Sequence, residues 1–243
     1  MDAQTGTSTH AQRALITLRQ RILSGQLPGG TRLFEVVLAE ELAISRTPIR
    51  AALSQLAEET LLDRAKGGGF VVRSFKLADV VDTIDLRGVL EGTAARYAAE
   101  RGVDAALLNH AQEILRGIDR VVLDQLIDLD TYSALNSEFH SLLARMSGSD
   151  ILQREIARVT ALPFASPSAF LDDHTRIEAL QKTLGSAQDQ HRAIIDAITH
   201  RESGRAESLA REHARAARRN VEYLLSQEAA LREGVPSLAL LSS

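Results

Sequence analysis

Ile44-Ser45-Arg46-Thr47-Pro48-Ile49-Arg50-Ala51-Ala52-Leu53 decides the reading of this chain. Ser45 or Thr47 stands where a side-chain oxygen caps a helix by accepting a backbone N–H bond, and Pro48 lies in the first turn, where a missing N–H is harmless. A helix therefore begins here. Ile49, Leu53 and Leu56 follow the spacing of a core-facing stripe, which leaves Arg46 and Arg50, four residues apart, together on the exposed N-terminal face. On its N-terminal side lie a helical stretch at about 35–42, a short strand at 31–34 and a longer helix at about 11–24. On its C-terminal side, strand signals at 61–65 and 70–72 flank Gly67-Gly68-Gly69 as a small hairpin. Helix, strand, helix, helix, hairpin is the order of a winged helix-turn-helix.

Two arginines and a threonine opening the second helix of a helix-turn-helix are placed to enter a major groove. There a guanidinium pairs bidentately with guanine and a hydroxyl meets phosphate. The Gly67, Gly68 and Gly69 tip, with Arg64 and Lys66 beside it, lets the hairpin approach the backbone or minor groove closely. A single exposed arginine is ordinarily just a solvated side chain; the combination points to double-stranded DNA. The net charge of −4, from 28 basic and 32 acidic residues, argues against that partner only as an average. Residues 1–75 carry nine basic and seven acidic side chains, a balance of +2, and the acidity belongs to the remainder at −6.

From residue 77 onward apolar residues recur every three to four positions over about 77–101, 104–128, 130–146, 150–160, 174–200 and 204–231. The fold expected is mainly α: a winged helix-turn-helix over 1–75 and an all-α bundle of six or seven helices over 76–243. One long loop is expected at 161–173. Six Phe, three Tyr and no Trp, with 15 Gly and 5 Pro, make an all-β architecture improbable. The longest charge-free run, 159–171, has 13 residues and two prolines, short of the roughly 20 apolar residues of a membrane span. The polar first ten residues lack the features of a signal peptide, and with no cysteine the chain reads as cytoplasmic. The absence of cysteine also leaves only nitrogen and oxygen ligands for any metal.

Three histidines fall on core-facing stripes of three different helical stretches. His140 lies with Asn136, Phe139 and Leu143; His191 with Ala187, Ile194, Ile195 and Ile198; His213 with Leu209, Ala210, Ala217 and Val221. One such histidine is ordinarily a hydrogen-bonded core residue; three converging in a bundle make a divalent metal site an equal reading, zinc first and nickel or manganese otherwise. Arg87 shares the arc of Val80, Ile84, Ala94 and Ala98, so its guanidinium points inward with Glu91 one turn on. A buried charge requires a partner. That partner is either Glu91 or the carboxylate of a small organic acid effector held bidentately.

The stretch 18–75, with LRQRILSG, PGGTRL, LAEELAISRTPIRAALSQL and GGGFVV, resembles the winged helix-turn-helix of GntR-family bacterial transcription regulators. The helical remainder resembles the FCD effector domain of the FadR-type branch. The resemblance implies a homodimer on a palindromic operator, most readily as a repressor, with DNA contacts at Arg46, Thr47, Arg50 and the Lys66–Gly69 wing. Thr60 stands where the family usually has glycine. The resemblance further implies metal ligands at Asn136, His140, His191 and His213, with Asn136 replacing the usual acid, and an effector contact at Arg87. A neutral amide oxygen attracts a dication less than a carboxylate, which lowers the expected affinity. The 130–140 stretch and Pro163-Phe164-Ala165 resemble vanillate-responsive repressors, so an aromatic or other small carboxylate is a candidate effector. Two other functions compete: a metal sensor without organic effector, and a metal-dependent hydrolase in which three histidines activate water. Against the hydrolase, no His-Glu-x-x-His pair is present and Glu138 lies off the His140 face.

Overall fold

The computed structural model describes residues 2–124, 127–162 and 177–226. The chain divides into two compact units, with the division at Asp79–Val80. In the first unit α1 (Asp2–Leu23) is followed by β1 (Arg32–Leu33), α2 (Glu35–Leu42), α3 (Arg46–Glu58), β2 (Leu62–Arg64) and β3 (Phe70–Val72). The strands form an antiparallel sheet of order β1-β3-β2, with Leu33 opposite Phe70 and Leu62 opposite Val72. The wing is thus more than a hairpin, because β1 closes its other edge. Leu15, Leu18 and Ile22 of α1 and Ile49, Leu53 and Leu56 of α3 are fully buried and form the centre of this unit. Arg19 and Glu59 clamp the rim through a bidentate pair, the shortest contact 2.7 Å.

Two expectations are corrected here. Helix α1 begins at Asp2 rather than near residue 11; its first turns are polar, so no apolar period announced them. Ser45 occupies the N-cap of α3, yet neither it nor Thr47 makes a capping bond. The third residue of the helix is Pro48, which has no N–H for a capping oxygen to accept from.

The second unit contains α4 (Leu77–Arg101, whose first residues precede the division), α5 (Ala105–Leu123), α6 (Leu129–Met146), α7 (Asp150–Thr160), α8 (Ile177–Thr199) and α9 (Ser203–Ser226). The architecture is the mainly helical one expected, with six helices among the described residues. Asp104, Asp128 and Ser149 cap α5, α6 and α7 through their side chains. Helix α5 stops at Leu123, short of the expected 128, as Asp124 turns extended. The expected 161–173 loop falls largely, and the Pro163-Phe164-Ala165 detail wholly, outside the described residues. No helix among the described residues is long and apolar enough to cross a membrane.

Ile114, Ile118, Phe139, Leu143, Ile194, Ile198 and Ala210 are buried in one continuous core. Helices α8 and α9 run antiparallel: Asp196 meets Arg205 near their connection, and His191 meets His213 further along. Helix α4 crosses α9 at glycines. A Cβ built on Gly88 would stand 2.7 Å from that of Ala214, and one on Gly92 2.8 Å from Arg211 Cγ. That close crossing carries the polar face of α4 into the bundle, where Arg87 and Glu91 are each 1% exposed.

Candidate DNA-reading face and metal centre

The first unit presents Arg46, Thr47 and Arg50 in solvent at the start of α3, while Pro48 and Ile49 between them are buried. Glu35, in the first turn of α2, holds this face in a way the sequence did not reveal. Both its oxygens accept from Arg50, Nε and Nη2, at 2.8–3.0 Å, and Arg46 Nη2 lies 3.9 Å away. The hydrogen bond from Arg50 holds the Glu35 carboxyl below its usual range, outweighing what burial there is. The Lys66 side chain is exposed, and Gly67, Gly68 and Gly69 all have positive φ (97°, 96° and 79°), a run that side-chain-bearing residues rarely adopt. The tip therefore stands clear as a small basic loop.

In the second unit α6, α8 and α9 bring His140, His191 and His213 together, all buried, with ligand nitrogens within 4.8 Å of one another. Nε2 of His213 lies 3.1 Å from that of His191 and 3.4 Å from that of His140. Each ring's other nitrogen faces an oxygen. His140 Nδ1 donates to Glu91 Oε1 at 2.9 Å and His213 Nδ1 to Gln190 Oε1 at 3.0 Å. His191 Nδ1 donates to Gln188 Oε1 at 3.2 Å. The Gln188 amide is oriented by its own Nε2, which donates to the Leu115 carbonyl at 2.8 Å and to Asp119 at 2.7 Å.

A carboxylate or amide oxygen only accepts, so each Nδ1 carries the proton and each neutral ring turns an Nε2 lone pair toward the other two. Three lone pairs at such separations repel unless a cation lies among them. Ligand nitrogens about 2.05 Å from a tetrahedral metal stand roughly 3.3 Å apart, between the 3.1 and 3.4 Å separations from His213 Nε2. Burial, and then the neighbouring imidazoles, push His191 well below the usual histidine range; the same burial and His140 take His213 down to about 3. Burial works to raise Glu91, but its interactions with His140, which donates to it, and with Arg87 outweigh it and bring the carboxyl to about 2. The cluster is thus two neutral imidazoles beside a third that donates to an ionised carboxylate, the arrangement that orients metal-binding histidines.

Arg87 has the internal partner expected of it and also faces a cavity. Its Nε lies 3.7 Å from Glu91, and its side chain also lines a cavity of about 320 Å³ whose wall includes Tyr132, Asn136 and His213. Asn136 is buried one turn before His140 on α6 and contributes to the same wall. Glu138 points away and meets His110 at the surface, 3.0 Å apart. Gln188, Gln190 and Asp119 escaped sequence reading, since a glutamine near a histidine on a helix is unremarkable until the rings converge.

A chain that pairs this basic α3 face and glycine-tipped wing with a buried histidine cluster has clear counterparts. Residues 11–72 match the gntR family of bacterial regulatory proteins and residues 82–216 the FCD domain. The chain belongs to the GntR family. A GntR-type relative from Streptomyces ambofaciens, described as an uncharacterized HTH-type transcriptional regulator in an unstable DNA locus, is 30% identical over 91% of this chain and 89% of its own length. The probable D-xylose utilization operon transcriptional repressor of Paenarthrobacter nicotinovorans is 30% identical over 73% of each chain. Among solved structures, E. coli McbR/YncC superposes with a TM-score of 0.65 at 20% identity, covering 90% of this chain and 98% of that one. A GntR regulator from Rhodococcus superposes at 0.62 with 21% identity, covering 90% of this chain and all of its own. These two share the fold. As a GntR-family member with an FCD domain the protein is a transcription regulator and not an enzyme, which removes the hydrolase reading.

Proposed function

We propose that the protein is a repressor that binds a palindromic operator as a homodimer in the cytoplasm and releases it when a small carboxylate enters the second unit. The observation that carries the proposal is the convergence of three Nε2 lone pairs beside a cavity lined by Arg87, in a chain whose other unit presents Arg46, Thr47 and Arg50. His140, His191 and His213 would hold a divalent metal, with Asn136 as an oxygen donor. The metal would supply a Lewis-acidic site for a carboxylate oxygen. Arg87, beside Glu91, would bind the same carboxylate through its fork, and Glu91 would keep His140 in the ligating tautomer. On the DNA side, Arg46 and Arg50 would read base edges, and Thr47, Lys66 and the Gly67–Gly69 tip would meet the backbone. Repressor relatives such as the Paenarthrobacter protein support that sign of regulation.

Selection from a random duplex pool is expected to return a palindrome whose binding weakens steeply with salt. Arg46→Ala with Arg50→Ala should cost about 2–6 kcal/mol of specific affinity, at 1–3 kcal/mol for each bidentate contact; wild-type affinity in that variant would overturn the assignment. Elemental analysis of purified protein should find one divalent metal per chain, absent from the His140→Ala/His191→Ala/His213→Ala variant. Undiminished metal there would place the ion elsewhere, and operator release by metal alone would favour the sensor without organic effector.

A further inference from the structure

The cavity beside the histidines is electrostatically one-sided. Among the described residues twelve line it, Arg87, Lys182, Arg219 and His213 included, and none of these is acidic. Its polar groups also separate by depth. Arg87, Asn136, Tyr132 and His213 are buried, whereas Lys182 and Arg219 are exposed, so one cationic end lies inside and another at the mouth. The antiparallel course of α8 and α9 explains why the two outer cations share an end: Lys182 lies early on α8 and Arg219 late on α9. Arg219 is six residues beyond His213, which at 1.5 Å per residue places the outer end about 9 Å along the helix from the metal-binding ring. Lys182 makes no ion pair among the described residues, while Arg219 is held by Glu212 at 3.0 Å.

Tyr132 adds an independent indication. Its side chain is 2% exposed and lines the cavity. Burial keeps the phenol protonated, well above its usual range. A protonated phenol in a cavity wall donates a hydrogen bond where a ligand brings a polar acceptor.

We infer that the effector carries two acidic groups: one at the His213 and Arg87 end, the other reaching Lys182 and Arg219 at the mouth, with a polar atom between them opposite Tyr132. The ligand class is a compact dicarboxylate, aliphatic or aromatic, of a size set by the 320 Å³ available. The inference rests on the reading above that this cavity takes the effector, and it adds the second charge. The walls between the two ends, Leu184, Ala187, Ala216 and Ala217, are apolar and suit a hydrocarbon spacer. A monocarboxylate would satisfy the inner end and leave the mouth to water.

Calorimetric titration of the full-length, zinc-loaded protein with glutarate, adipate and isophthalate against valerate, hexanoate and benzoate tests it. Each diacid is expected to bind about tenfold more tightly than its monoacid counterpart, an advantage of about 1.4 kcal/mol, and the advantage should shrink as salt is raised. In Lys182→Ala/Arg219→Ala, two substitutions at exposed positions that leave the core untouched, the ratio should fall toward one. Tyr132→Phe should weaken glutarate with no loss of thermal stability. Equal binding of monoacids and diacids, or a ratio undiminished in the double variant, would overturn the second charge and leave the carboxylate site standing. Failure of every acid to bind would remove both.

Discussion

Thr60 follows the last turn of α3 in the left-handed region, φ 61°, and its buried hydroxyl oxygen has no hydrogen-bond partner among the described residues. The turn around it is a Schellman motif: Leu61 N donates to Leu56 O at 3.0 Å and Thr60 N to Ala57 O at 3.1 Å. Glycine adopts that conformation without cost, whereas a β-branched residue is strained there. Thr60→Gly is therefore expected to stabilise the protein by about 1 kcal/mol, less the added freedom of glycine in the unfolded chain, read as a raised urea midpoint with unchanged slope. The resemblance to the GntR family marked this position, where the family usually has glycine. Sequence reading did not find Glu35, although Glu35 holds Arg50 bidentately. Fifteen residues separate the two, and nothing in either helix alone brings their side chains together. The same holds for Gln188: its amide determines which nitrogen of His191 faces the cluster, and its own orientation comes from Leu115 and Asp119, some seventy positions earlier.

Helices α4 and α9 meet at Gly88 and Gly92, and this crossing is the least forgiving contact in the second unit. Alanine has the higher intrinsic helix propensity by about 1 kcal/mol. Gly88→Ala should nonetheless destabilise by about 1–3 kcal/mol, because the new methyl would stand 2.7 Å from Ala214 Cβ, in the residue next to His213. Thermal unfolding would show a lowered midpoint, and zinc affinity should fall with it; a stabilised Gly88→Ala would contradict the close crossing. At this scale most of the fold was readable. The period of apolar residues defined 77–101 and 150–160 as the structure has them, and the other helices to within a few residues, except where polar turns extend α1 and where Asp124 ends α5 early; the expected start of α8 at 174 and end of α9 at 231 lie outside the described residues. Caps were less legible: Ser45 looks like a capping residue but makes no such bond, Pro48 having removed one of the two N–H groups it could accept from.

Across the whole molecule the two units carry opposite net charge and separate tasks, and linkage to protons should show itself in the second. His213 titrates near 3 in the folded protein against 6.5 in an unfolded chain, and His191 is depressed as well. A base with a depressed folded pKa binds protons preferentially when unfolded, so stability is fully present above about 6.5 and is lost as pH falls toward 3. Chelated protein should therefore unfold at lower urea at pH 5 than at pH 7. In zinc-loaded protein the same acidification should release metal, because ligation requires neutral imidazole; equal midpoints at both pH values would contradict the buried neutral cluster. By itself the sequence determined the order of elements, the division of charge and the residue types on the α3 face and wing, all consequences of local periodicity and backbone preference. It also marked His140, His191, His213 and Arg87 as facing inward, since facing inward is a property of a single helix. Only the tertiary structure decided that three helices distant in sequence bring those nitrogens to one point, which tautomer each ring adopts, and that the neighbouring cavity has cations at both ends. Those features depend on how helices pack, and packing is a relation between stripes that no single stripe contains.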